Sequence, residues 1–232
     1  MLEDFASSIL TKYLGKYILG LKKENLKFAL SNGEVDLSNL EINLDEFSDL
    51  DIPVSLIKGT LDKLKLKVPW KNLGGESMII DIQNLFILVE PKRMSHSEDQ
   101  KTKQKRLQLL ELMKREPEEM KSSTWTEYFS RGIVEKVINN VQIKINSVHL
   151  RIEDKIYNPN NFYSLGVTID SFNIQSTDSN WVPNFISDLN QKLLFKLADL
   201  QNLSIYFNSN DEPLKYQDLT SFSKSMKSRV KI

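Results

Sequence analysis

The residues best placed to do chemistry lie in one short stretch, His149-Leu150-Arg151-Ile152-Glu153-Asp154. It holds one of the chain's two histidines, beside an arginine and two carboxylates. An imidazole next to a carboxylate is the usual pairing for general acid–base catalysis. The spacing argues against that use. His149, Arg151 and Glu153 alternate with Val148, Leu150 and Ile152, the mark of a strand with opposed faces. The three polar residues then share a solvated outer face. His96 stands in a charged stretch with no helper, and Gly74-Gly75 reads as a turn rather than a phosphate cradle. No Ser-His-Asp order and no metal-ligand spacing occurs in the sequence. The expectation is a protein that is not an enzyme and needs no cofactor or metal.

Composition narrows the class. The 232 residues are 40% hydrophobic and 27% charged, with Lys+Arg and Asp+Glu both at 31. That balance fits a globular chain and argues against a nucleic-acid partner, which calls for a basic excess. Cysteine is absent, so disulfides and thiolate metal sites are excluded and a reducing compartment is expected. The opening stretch carries Glu3 and Asp4 and no basic leader, unlike a signal peptide. No run approaches a membrane-spanning length. The expected location is cytosolic.

The elements come from periodicity. Leu2, Phe5, Ile9, Leu10, Tyr13, Leu14, Tyr17, Ile18 and Leu21 recur at three- and four-residue spacing, predicting an amphipathic helix that ends near Gly20. Its lysines Lys12, Lys16, Lys22 and Lys23 fit either a plain end cap or a membrane-facing helix. Asn32-Gly33 between alternating runs predicts a hairpin that pairs Leu30 with Val35 and Phe28 with Leu37. Further strands are expected at 54–68, 77–90, 141–153, 164–175 and 197–208. Residues 92–122 read as a charged, flexible insert. Thr124 to Glu127 is a capping box for a second helix through Ile138. Residues 209–232 are structurally uncommitted and look like a cut chain. The whole, 1–232, is read as one domain.

One pattern repeats along these strands. Leu37-x-x-Leu40-x-Ile42, Leu61-x-x-Leu64-x-Leu66-x-Val68, Ile82-x-x-Leu85-x-Ile87-x-Val89, Ile145-x-x-Val148-x-Leu150-x-Ile152, Ile169-x-x-Phe172-x-Ile174 and Leu200-x-x-Leu203-x-Ile205-x-Phe207 each break alternation once. The extra residue falls in a polar pair such as Gln83-Asn84 or Asn146-Ser147. A one-residue slip turns every later side chain over, unless the strand bulges or bends. The bent reading predicts an α+β, mostly β fold: a strongly curved antiparallel sheet that forms an open apolar groove, with two helices. The bland reading is a set of unrelated turns between short strands.

The apolar side of such a sheet collects Phe28, Leu30, Val35, Leu37, Leu40, Ile42, Leu64, Leu66, Val68, Ile80, Leu85, Ile87, Val89, Val141, Ile143, Ile145, Val148, Leu150, Ile152, Val167, Ile169, Phe172, Ile174, Leu203 and Ile205. Each large apolar side chain left wet forfeits about 1.5–3 kcal/mol, and soluble monomers rarely expose wide apolar patches. Two helices are too few to cover them all. Either the sheet closes on itself or it holds an apolar ligand, for which an acyl chain is well suited. A third possibility is a structural or adaptor module packed on a neighbouring domain or protein. Trp70 and Trp181 are read as packing residues rather than lipid-head contacts.

Several segments carry a resemblance. MLEDFASSILTKYLGKYI, VDLSNLEI, LKLKVPWKNL, LFILVEPK, VEKVINNVQIKINSVHLRIED and STDSNWVPNF, in that order, resemble the chorein N-terminal region of the vacuolar protein sorting thirteen family of bridge-like lipid-transfer proteins. The resemblance covers nearly the whole chain apart from the charged insert. It implies a groove-shaped β rod that passes glycerophospholipids between membranes at contact sites. Its N-terminal end would lie on the endoplasmic reticulum side, the protein would sit peripherally on the membrane surface, and this chain would be the start of a longer one.

Overall fold

The computed structural model describes residues 14–21, 33–47, 52–72, 74–92, 132, 135–155, 157, 161–188, 190, 193–209 and 211–229. Six strands form one sheet: β1 (Glu34–Glu41), β2 (Val54–Lys67), β3 (Ile79–Pro91), β4 (Gln142–Asp154), β5 (Tyr163–Thr177) and β6 (Phe195–Ser209). They lie side by side in chain order, so among the described residues β1 and β6 are the edges and the sheet is not closed. Short 3-10 turns occupy Leu44–Phe47 and Trp70–Asn72, and a helix covers Leu219–Arg229. The expected hairpin partners Phe28 and Leu30 lie outside the described residues, as does most of the charged insert.

The expected all-antiparallel sheet is corrected at one joint. β1–β2, β2–β3, β4–β5 and β5–β6 are antiparallel, but β3 and β4 run parallel, with Ile80 opposite Ile143 and Ile87 opposite Leu150. A parallel pair needs a long crossover, and the chain between Pro91 and Gln142 supplies it. The strand pattern could not reveal this, because alternation is the same in either direction.

The repeated slip is real and falls at one level of the sheet. Pairing skips Asn39, Asp62, Asn84, Ser147, Asp170 and Asn202, one residue on each strand at this level, and the adjoining pairs stay in register; β2 carries one further extra residue, Ile57, opposite β3. At the shared level each extra residue faces another extra residue, so the ladders re-form with the apolar side chains still on one face. Asn39, Asn84, Ser147 and Asn202 adopt positive φ, between 53° and 61°. Asparagine tolerates that left-handed backbone better than most residues. Asn84 donates to Asp62 Oδ2 at 2.9 Å and Asn202 to Asp170 Oδ2 at 2.8 Å. The polar pairs of the pattern thus tie neighbouring strands together where the extra residues accumulate.

Two packed layers hold the sheet. On the aliphatic face, Ile18, Ile42, Leu61, Leu64, Leu66, Val68 and Met78 form a buried cluster near the β1 edge, joined by Leu14, Leu21, Val137 and Val141. Residues 14–17 and 135–139 are helical, so both expected helices contribute where they are described. The first ends at Tyr17, with Ile18 bridged to Ile42, and Gly20 takes a φ of 76° in the turn that follows. Asn140 anchors the end of the second: its side chain donates to Ile186 O at 2.9 Å and accepts from Ile186 N at 2.6 Å. On the opposite face, Phe222, Met226 and Leu214 bury Phe86 and Leu88. The stretch read as uncommitted contains this second layer.

Candidate functional site

The pairing assembles the expected apolar positions into rows across the strands. Val35, Leu66, Ile80, Ile143 and Ile174 are in register, as are Leu37, Leu64, Ile82, Ile145, Phe172 and Leu200. Beyond the slip level follow Leu40, Leu61, Leu85, Val148, Ile169 and Leu203, then Ile87, Leu150, Val167 and Ile205, then Leu56, Val89, Ile152, Leu165 and Phe207. Alternation places each residue by local geometry alone. Registry across strands brings them together.

Burial along a row is graded. Leu64 is fully buried and Leu61 nearly so, under the cluster around Ile18 and Ile42. Val35, Leu66, Val68 and Val89 are likewise core, and Ile42 packs beside Gly59. Leu37, Leu40, Ile80, Leu85, Ile87, Val141, Ile143, Ile145, Val148, Leu150, Ile152, Val167, Ile169, Phe172 and Ile174 are half-buried. On β6, Leu203 is 54% exposed, Ile205 68% and Phe207 62%. The rows are sealed by protein at one edge of the sheet and open at the other.

The stretch His149–Glu153 requires a correction. Its three polar side chains do lie opposite the aliphatic rows, but they are not solvated: His149 is 1% exposed, Arg151 0% and Glu153 2%. The segment from Asp211 to Tyr216 and the helix after it lie over them. Arg151 donates to Glu153 Oε1 at 2.9 Å and to Asp211 Oδ2 at 2.7 Å. Ser164 and Arg229 also donate to Asp211, at 2.6 Å each. Leu214 N donates to Glu153 Oε1 at 2.7 Å, and the Tyr206 hydroxyl lies 2.8 Å from His149 Nε2. A buried arginine is tolerated because each charge meets an opposite charge and a hydrogen bond.

The electrostatics follow from that burial. Loss of water, reinforced by the Arg151 charge, pushes the His149 imidazole down to about 4, so it is neutral near pH 7. Burial alone would raise Asp211, but bonds from Ser164 and Arg151 outweigh it and hold the carboxyl at about 2. Local shape serves the same cluster. A Cβ on Gly166 would fall 2.0 Å from Tyr206 Cε1, so only glycine lets the tyrosine ring cross β5. The arrangement is a structural lock: Arg151 and Asp211 tie the sheet to the C-terminal segment through paired charges.

Sequence reasoning missed Tyr206, Asp211 and the C-terminal layer. Two signals were available. Leu219, Phe222 and Met226 have helical spacing behind an Asp218-x-x-Ser221 start, and Ser221 N does donate to Asp218 Oδ1 at 2.7 Å. Ser164, Gly166 and Thr168 are small residues on the outer face of β5, where a covering segment needs room.

These features define, among the described residues, an open β-sheet protein, backed by a helix on one face and carrying registered aliphatic rows to the β6 edge on the other. No described helix is long and apolar enough to cross a membrane. The model of the VPS13-like family N-terminal region matches residues 1–231, and the chain belongs to that family. It is 35% identical to the intermembrane lipid transfer protein vps13A of Dictyostelium discoideum over 98% of its own length and 7% of that protein. It is 35% identical to the intermembrane lipid transfer protein VPS13 of Chaetomium thermophilum over 90% of this chain and 7% of that one. Identity to the mouse intermembrane lipid transfer protein VPS13A is 32%, over 98% of the chain and 8% of the relative. The chain therefore spans less than a tenth of the length of these relatives.

Proposed function

We propose that this chain is the lipid-loading start of an intermembrane lipid-transfer protein, holding glycerophospholipid acyl chains along its aliphatic rows. The observation that carries this reading is the graded burial of the in-register rows, two of which run from β1 to β6, toward the exposed β6 edge. Strands spaced about 4.8 Å apart make the half-buried and exposed stretch from β3 to β6 about 14 Å long. One leaflet of a bilayer core, and so one acyl chain, is about 15 Å deep. The sheet then acts as an apolar groove, with tails on the rows and heads at the strand ends. Each methylene covered contributes about 0.8 kcal/mol, with no single residue dominating, and transfer needs no chemical step. In the longer protein the rows continue onto following strands. The molecule works peripherally, at membrane contact sites, with the β1 end toward the endoplasmic reticulum.

The test is lipid extraction and native mass spectrometry of the purified chain after incubation with phospholipid vesicles. Co-purifying phospholipid is expected. A lipid-free protein whose β6 face is instead covered by polypeptide overturns the reading and leaves the adaptor module in its place.

A further inference from the structure

We propose that a cleft on the far side of the sheet, beside Glu153, binds an organic ammonium group. The cleft has a volume of about 750 Å³ and lies between the ends of β2, β3 and β4 and the C-terminal segment; its charged lining is Glu90, Glu153, Lys155 and Lys215, with Leu88 and Tyr216 beside them. Its chemistry centres on one atom. Glu153 is almost fully buried, and its Oε1 accepts from both Arg151 and Leu214. Its Oε2 is buried and has no hydrogen-bond donor among the described residues. The cation beside it is Lys155, with Nζ 3.4 Å away on a half-exposed side chain, long for a charge-assisted bond. A buried carboxylate oxygen left without a donor is costly, and the Glu153 side chain lines a space large enough to admit one once Lys155 moves aside.

The remaining walls select the donor. Glu90 supplies a second carboxylate, Tyr216 an aromatic ring of the kind that attracts cations, and Ile57, Leu88 and Leu214 an apolar surface for a short carbon stem. Among the described residues no group of three or more His, Cys, Asp or Glu side chains comes together to hold a metal ion. A primary ammonium on a small organic stem meets all of these demands: its N–H donates to Oε2 and its charge displaces Lys155. Such a group reaches the cleft either as a free amine or as the head of an aminophospholipid, and only the second source rests on the lipid reading above.

The experiment uses the full 232-residue chain, isotopically labelled, with the Leu214 amide as reporter because it bonds Glu153 directly. Titration with ethanolamine is expected to shift that amide saturably, while ethylene glycol leaves it unmoved. Lys155→Ala removes the competing cation while leaving both bonds to Glu153 Oε1 in place, and should tighten ethanolamine binding roughly twofold to fivefold, the worth of an exposed ion pair. Glu90→Gln should weaken it by a similar factor. No shift in either the unaltered chain or Lys155→Ala, or an equal response to ethylene glycol, overturns the proposal. A second titration with dihexanoyl phosphatidylethanolamine separates the sources. Leu214 moving with Ile169 and Leu203 assigns the ammonium to a lipid head on the rows. Leu214 moving alone keeps the site as one for free amines. Ile169 and Leu203 moving without Leu214 leaves the lipid reading intact and overturns the ammonium site.

Discussion

Arg151 shows how far a side chain's role depends on what covers it. Its guanidinium is bonded to Glu153 and Asp211 with no exposure to water. Removing one partner of such a cluster strands the others as buried charges, so Arg151→Met is expected to destabilise the chain by about 3–5 kcal/mol, read from urea denaturation. His149 gives a pH signature. Its pKa is about 4 in the folded chain against an ordinary 6.5, so between those values the unfolded chain binds more protons. Stability is then complete above about pH 6.5 and falls by about 3 kcal/mol as pH drops to 4. Asp211, held at about 2, adds its own loss below the ordinary carboxylate range. Denaturant midpoints from pH 7.5 down to pH 4 should follow this course, and His149→Gln should flatten the part above pH 4.5. If the variant keeps the full slope, His149 is not the titrating group.

The slip level is a property of elements rather than of single residues. Asn39, Asn84 and Asn202 sit at positive φ within otherwise extended strands. Replacing Asn84 by Gly keeps that backbone accessible, whereas Asn84→Val is expected to cost about 1–3 kcal/mol through strain and the lost bond to Asp62. Deleting Ser147 is more severe, because it turns Val148, Leu150 and Ile152 to the opposite face; cooperative thermal unfolding should disappear. The C-terminal helix is the second element-scale device. Phe222 is fully buried against Phe86 and Leu88, so Phe222→Ala should destabilise by about 3–5 kcal/mol. Increased amide exchange at residues 149–153 would show that the helix is what keeps water from the buried ions.

At the scale of the whole molecule the sheet has one sealed edge and one open edge, and substitutions should divide accordingly. Leu203→Asp with Ile205→Asp alters side chains already more than half exposed. The melting temperature should hardly change while bound phospholipid is lost. Leu64→Asp places a charge in the core and should prevent folding. Retained lipid in the β6 double variant, at unchanged stability, would sink the proposed role of the rows.

Much of the fold was legible in the chain because it is local. Alternation marks strands, a polar pair marks the slip, and together they assign each aliphatic residue to a face without knowledge of its neighbours. The family was legible too, from segments quoted in order. Three features were decided only in three dimensions. The parallel pairing of β3 with β4 depends on the path of a crossover, which side-chain period does not encode. The burial of His149, Arg151 and Glu153 depends on partners 57 to 61 positions away, Tyr206, Asp211 and Leu214. The gradient along the rows depends on which strand became an edge. Periodicity tells a strand which of its sides is apolar; only the packed chain decides which side meets water, because burial is set by what arrives from elsewhere.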